Sequence, residues 1–147
     1  MTSNTTPSGE CFADSVKGSY YAYKAFDKTL SSPWVSTETA MPHYVGYQFA
    51  KKVSVYKVVA TYIDSAQSYV KAFSIQASDD SFVNDIQNIY SGTEPDYGMT
   101  QVTRTYITSP GAIRKQAVRF YVTSNYKPAS DPKAGVDELQ FYGRADV

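Results

Sequence analysis

Residues 72–81 read Ala72-Phe73-Ser74-Ile75-Gln76-Ala77-Ser78-Asp79-Asp80-Ser81. Phe73, Ile75 and Ala77 alternate with Ser74 and Gln76, the two-residue period of a strand with one face in a core and the other in water. The strand has to stop near Ser78, because Asp and Ser side chains bond their own backbone and mimic turns. The same grammar recurs on both sides. Upstream, Val45, Tyr47 and Phe49 alternate with Tyr44, Gly46 and Gln48. Ala50-Lys51-Lys52 reads as a short turn, and the β-branched run over 53–63 reads as a central strand with Val53, Val55, Val59 and Ile63 on one parity. Downstream, 102–107 alternates, 117–123 turns Val118, Phe120 and Val122 inward, and 136–142 turns Leu139 and Phe141 inward with Glu138, Gln140 and Tyr142 opposite. Residues 82–90 fit an edge strand or a short irregular helix. No stretch keeps a helical period for three turns and no segment repeats. The fold expected is all-β, an antiparallel β-sandwich of the jelly-roll kind.

The chain has 147 residues, enough for one domain with a real core. Residues 1–10 read as a polar linker and 11–147 as a single β-sandwich domain. Fourteen basic residues balance fourteen acidic ones, so no basic excess points to nucleic acid or to an anionic membrane. No apolar run reaches the length of a membrane span, and Met41 and Val70 are the only bulky apolar residues that loops would offer to a lipid surface. Fourteen tyrosines supply area with a polar tip, which suits a sheet rim or a recognition surface. Cys11 is alone, so the chain can form no internal disulfide and no cysteine metal site.

One loop gathers unusual chemistry. Ala25-Phe26-Asp27-Lys28-Thr29-Leu30-Ser31-Ser32-Pro33-Trp34 runs from a carboxylate through small polar residues to a proline and the only tryptophan. Such a segment is a tight loop whose carbonyls and Asp27 can turn inward around a cation. Catalytic arrangements are not expected. His43 is the only histidine, sits at a strand entry, and has no nucleophile elbow to serve. Asp79 and Asp80 are neighbours in a turn and point apart, unlike the carboxylates that flank a glycosidase cleft. Arg119 is expected to pair with a carboxylate or to pack its stem over the sheet.

Three segments taken together, Ala25-Phe26-Asp27 with Trp34, Phe73-Ser74-Ile75-Gln76-Ala77-Ser78-Asp79-Asp80, and Asp137-Glu138-Leu139-Gln140-Phe141-Tyr142-Gly143, resemble the coagulation factor 5/8 type C, or discoidin, family. That family includes the family 32 carbohydrate-binding modules and has the galactose-binding-like jelly roll. The resemblance implies a structural Ca²⁺ held by Asp27, Thr29, Ser32 and Glu138 with loop carbonyls, a hard-oxygen set that suits this ion. The family usually has Gly after the Asp. Here Lys28 stands there, which costs on the order of 1 kcal/mol if that backbone needs a positive φ. The plain alternative is that Asp27 caps a turn and Glu138 is a solvated strand residue.

The resemblance also implies a sugar site on loops at one end of the sandwich, here 35–43, 62–69 and 124–133. Galactose-binding members carry a His after the loop Trp and an Arg at the end of the central strand. This chain has Val35 and Ile63 or Asp64 there, so galactose specificity does not carry over. Tyr62, Tyr69 and Tyr126 are the candidate platforms, with Glu38, Asp64, Gln67 and Asn125 as hydrogen-bonding partners and His43 on the rim. Each tyrosine is equally well read as a strand-end residue with a wet hydroxyl. The expected function is a non-catalytic carbohydrate-binding module that attaches a larger extracellular or phage/viral tail protein to a cell-surface or polymeric glycan. The alternative is a protein-interaction or structural assembly domain without sugar binding.

Overall fold

The computed structural model describes residues 9–62, 69–98, 100–108 and 114–145. In chain order they form β1 (Glu10–Ala13), a 3-10 turn (Ala22–Phe26), β2 (Trp34–Val35), β3 (His43–Tyr62), β4 (Ala72–Ser78), β5 (Gln87–Thr93), β6 (Val102–Ile107), β7 (Lys115–Val122), β8 (Gly135–Val136) and β9 (Glu138–Ala145). Every strand pairing is antiparallel. The protein is an antiparallel β-sandwich, as the alternation predicted.

β3 organises it. The first half of β3 pairs with β1 and β7, and β4 and β5 continue that layer beyond β7. The second half pairs with β6 and β9. Residues 50–52 are therefore not a turn, as their sequence had indicated, but an extended bridge on which one strand passes from layer to layer. Register slips between Gln48 and Val53 where this happens, the usual way a corner is made in a sandwich. A second slip falls between Val55 and Lys57, and it moves the buried parity. Val55 faces in, but beyond it Val58, Ala60 and Tyr62 do so rather than Val59.

Between the layers, Val45, Ile75, Val118, Phe120, Val122, Val58 and Leu139 are at most 1% exposed. Phe73 of β4 and Phe120 of β7 stack at 4.8 Å, and Phe73 meets Tyr106 of β6 across the sandwich at 4.9 Å. Burying aromatic area of this size dominates the core energy, with an extra contribution from offset and tilted ring geometry. Trp34 is fully buried and donates its indole N–H to the Ser15 carbonyl at 3.1 Å. It is core, and the ribbon of β2 and β8 that holds it closes the loop end of the sandwich.

Candidate functional site

The loop after the 3-10 turn is shaped by two carboxylates that arrive from the far end of the chain. Lys28 and Ser31 adopt left-handed backbone, φ 61° and 77°, which turns successive amides inward. The Lys28 N–H donates to Glu138 Oε2 at 3.0 Å, and the Ser31 and Ser32 N–H groups donate to Asp137 Oδ1 at 2.9 and 3.1 Å. Asp27 Oδ1 accepts the Thr29 N–H at 2.8 Å. Asp137 was not foreseen. In a regular strand its side chain would oppose that of Glu138, but it occupies the break between β8 and β9, so both carboxylates reach the same loop.

These carboxylates lack counter-charges. Asp137 is fully buried, Glu138 is 5% exposed, and neither forms an ion pair among the described residues. Asp137 Oδ2 is buried with no hydrogen-bond partner. Burial pushes the Glu138 carboxyl up to about 7, aided by the charges of Asp27 and Asp137 and opposed by the Lys28 N–H. Burial likewise raises Asp137, against the amides of Ser31 and Ser32. An orphaned buried oxygen beside carboxylates that resist ionisation is the chemistry expected where a cation belongs. No cluster of three or more His, Cys, Asp or Glu side chains with metal-holding geometry occurs among the described residues, so hydroxyl and main-chain oxygens would have to complete any coordination shell. A groove of about 820 Å³, lined by Phe26, Tyr47, Phe49 and Phe141, opens beside Lys28 and Glu138.

At the end of the sandwich that carries residues 36–43 and 124–133, the structure rearranges most of the expected ligand set. His43 is fully buried. Its Nδ1 lies 2.6 Å from Asp14 Oδ2 and its Nε2 lies 2.8 and 2.9 Å from the carbonyls of Thr39 and Pro132. It therefore holds two loops together from beneath and has no face for a ligand. Tyr62 is 1% exposed with its hydroxyl on that of Tyr106 at 3.0 Å, so it cannot be a sugar platform either. Tyr69 is 8% exposed, with the ammonium groups of Lys127 and Lys133 each 5.0 Å from its ring centroid, and its ring too is withdrawn from ligand stacking. Asn125 spends its amide on the Asp131 and Lys133 carbonyls and its oxygen on the Lys127 N–H. It shapes its own loop. Asp64 and Gln67 lie outside the described residues.

Two of the expected residues remain available. Glu38 is half-exposed and accepts from Lys17 and Lys133, and hydrogen bonds from these two lysines hold its carboxyl below the usual range. Tyr126 is partly buried, bonds the Glu94 carbonyl through its hydroxyl, and has the Lys71 ammonium 5.2 Å from its ring. Lys133, which the sequence did not single out, is 8% exposed and bridges Glu38 and Asp131 at 3.2 and 2.9 Å. Burial works against its charge, but the hydrogen bonds it donates to Asp131 and Glu38 outweigh it and raise its pKa. Lysines hidden in polar loops carry no periodicity, so only the folded loops reveal that they converge.

The sequence profile of the F5/8 type C domain family matches residues 5–133. Among curated proteins, no sequence matches this one. Chitosan-binding module 1 of a chitosanase/glucanase from Paenibacillus sp. IK-5 superposes with a TM-score of 0.71 at 22% identity, covering 96% of each chain. The family 32 carbohydrate-binding module of Clostridium perfringens NanJ, in complex with galactose, gives 0.73 at 17% identity over 90% of this chain and 92% of that one. The corresponding module of AlyQ, in complex with 4,5-unsaturated mannuronic acid, gives 0.66 at 19% over 90% and 92%.

Proposed function

The chain belongs to the F5/8 type C domain family, and from that premise we propose that it is a non-catalytic carbohydrate-binding module, carried by a larger extracellular or virion-associated protein. The observation that carries this reading is the clasp under the loop end. His43 ties the loops of Thr39 and Pro132 to Asp14, which presents Glu38 and Tyr126 on a surface fixed before any ligand arrives. Preorganised loops reduce the entropy lost on binding, which a shallow site needs in order to hold a sugar at all. The one histidine is committed to this structural task, which leaves no general base of that kind for hydrolysis. Similar folds bind chitosan, galactose and an unsaturated mannuronic acid, so the fold supplies the surface and the loops choose the sugar.

The same proposal includes a structural Ca²⁺ at the Asp27 loop. Asp27 and Glu138 would hold it with oxygens of Thr29, Ser32 and the main chain, and the orphaned Asp137 Oδ2 supports the fit. When bound, the ion would offset the carboxylate charge that burial now penalises and fasten the loop to β9. A glycan array probed with the intact chain and with Tyr126→Ala tests the sugar reading. Signal on a defined set of glycans that falls at least about tenfold in the variant is expected, because a few anchoring residues dominate a binding site. No binding to any glycan would overturn it.

A further inference from the structure

At the loop end two ammonium groups stand without a carboxylate partner among the described residues. Among the described residues there, Glu38 takes Lys17 and Lys133, and Asp131 takes Lys133 again. Asp14 lies against His43. The nearby Glu94 carboxylate is occupied by Arg104 Nε at 3.3 Å and the Tyr106 hydroxyl at 2.6 Å. Two ammonium groups are left over. Lys127 lies over the Tyr69 ring at 5.0 Å and Lys71 over the Tyr126 ring at 5.2 Å, and neither has a carboxylate within ion-pair distance among the described residues. The whole chain is neutral, fourteen basic against fourteen acidic residues, so these two ammonium groups do not belong to a general basic excess.

The aromatic rings are used in a way that matters for the ligand. A neutral sugar stacks its C–H face on an open ring, yet Tyr69 is almost buried beneath two ammonium groups. These rings serve as posts that hold cations in place. An ammonium group over a π face keeps its outer N–H donors free and loses little conformational freedom on meeting an anion.

Resting on the reading that this end holds a glycan, we propose that the glycan is anionic, a carboxylated or sulfated saccharide whose acidic group sits against Lys127 and Lys71. Glu38 then takes the role of a hydroxyl acceptor at the other side of the loop cluster. Its two lysine contacts keep it ionised, and they also keep its charge from reaching the acidic group unopposed.

The test is an array of matched pairs read with the intact chain: uronate-containing oligosaccharides beside their carboxyl-reduced counterparts, and sulfated ones beside their desulfated forms. The readings are taken at about 20 and about 200 mM salt, either side of the point where the screening length falls below the size of the site. The acidic member of a pair is expected to bind at least tenfold better, to lose several-fold at the higher salt, and to lose its advantage in the Lys71→Gln, Lys127→Gln double variant. Both positions are surface lysines, and an unchanged unfolding temperature confirms that the double variant is folded. Preference confined to the uronate pairs or to the sulfated pairs supports the proposal and names the acidic group. Equal binding of acidic and neutral members, or a preference that survives in the double variant, overturns it while leaving the glycan reading intact. Binding to no saccharide at all overturns both.

Discussion

Nδ1 of His43 stands 2.6 Å from Oδ2 of Asp14, and the other ring nitrogen faces only carbonyl oxygens. All three partners are oxygen atoms, two carbonyls and a carboxylate. Asp14 is also fixed on its other oxygen by the Tyr44 N–H at 2.8 Å. A buried ring thus joins the end of β1, the start of β3 and two loops.

Replacing His43 with Ala removes a fully buried ring and its contacts to Asp14 Oδ2 and to the carbonyls of Thr39 and Pro132. Leaving a buried hydrogen-bonding group without its partner costs about 1–3 kcal/mol, and a loss at or above that range is expected from urea denaturation of His43→Ala. Asp14→Asn keeps an oxygen acceptor and should lose less. Equal, small losses in both variants would show that the clasp is weak.

Calcium is expected to raise the unfolding temperature and a chelator to lower it. At a hundredfold excess over its dissociation constant, an ion that binds only the folded chain adds about 2.7 kcal/mol, or roughly 5–10 °C for a domain of this size. Asp27→Ala and Glu138→Gln should each abolish the response, whereas Lys28→Gly should keep it, because the Lys28 contact to Glu138 is made by the backbone. Identical calorimetric scans with and without chelator would remove the ion from the proposal.

Arg119 was expected to meet a carboxylate or to lay its stem on the sheet. Its guanidinium instead lies 4.6, 4.1 and 4.5 Å from the ring centroids of Tyr44, Phe82 and Tyr121, with Nε donating to Gln76 Oε1 at 2.8 Å. Desolvated contacts of this kind are worth about 2 kcal/mol or more. Arg119→Ala should lose at least that much in denaturant titration. Arg119→Lys should recover less than half of it, since an ammonium cannot stack as a plane. Full recovery with Lys would mean that the stem alone matters.

The turn after β4 makes stability depend on acid. Asp80 is held below the usual carboxylate range chiefly by the Asn84 N–H, Asp85 by Lys115, and Asp79 by Lys52. Carboxylates that stay ionised to lower pH in the folded chain than in the unfolded one contribute stability above the unfolded value, about 3.9, and lose it as pH falls through the folded values. The unfolding temperature should therefore drop below about pH 4, and less steeply in Asp80→Ala than in the parent. Parallel curves would exclude the turn as the source.

Most strands were legible because alternation is local. Phe73, Ile75, Val118 and Phe120 declare their burial through their immediate neighbours, and all four are at most 2% exposed. The continuous path of β3 was not legible, because Ala50-Lys51-Lys52 looks the same whether it turns back or bridges two layers. The slip beside Tyr56 was hidden for a related reason. A bulge shows only when a partner strand reveals that one residue has no opposite number. At the loop end, polarity and aromaticity picked out the right loops, but not which of their side chains face water. Tyr62 and Tyr126 look alike in sequence, and only the position of Tyr106 puts the first in the core.

The sequence by itself determined an all-β chain with its strand-forming segments and its carboxylate-bearing loop, since these follow from side-chain periodicity and from the backbone habits of Ser, Asp and Pro. The tertiary structure alone decided that Lys28 meets Glu138, 110 positions away, that Asp137 leaves one oxygen orphaned, that His43 is a clasp, and that Lys71 and Lys127 rest on tyrosine rings with no carboxylate in ion-pair reach among the described residues. Those outcomes depend on which distant groups the two layers bring within hydrogen-bond and ion-pair reach, and no local pattern encodes that distance.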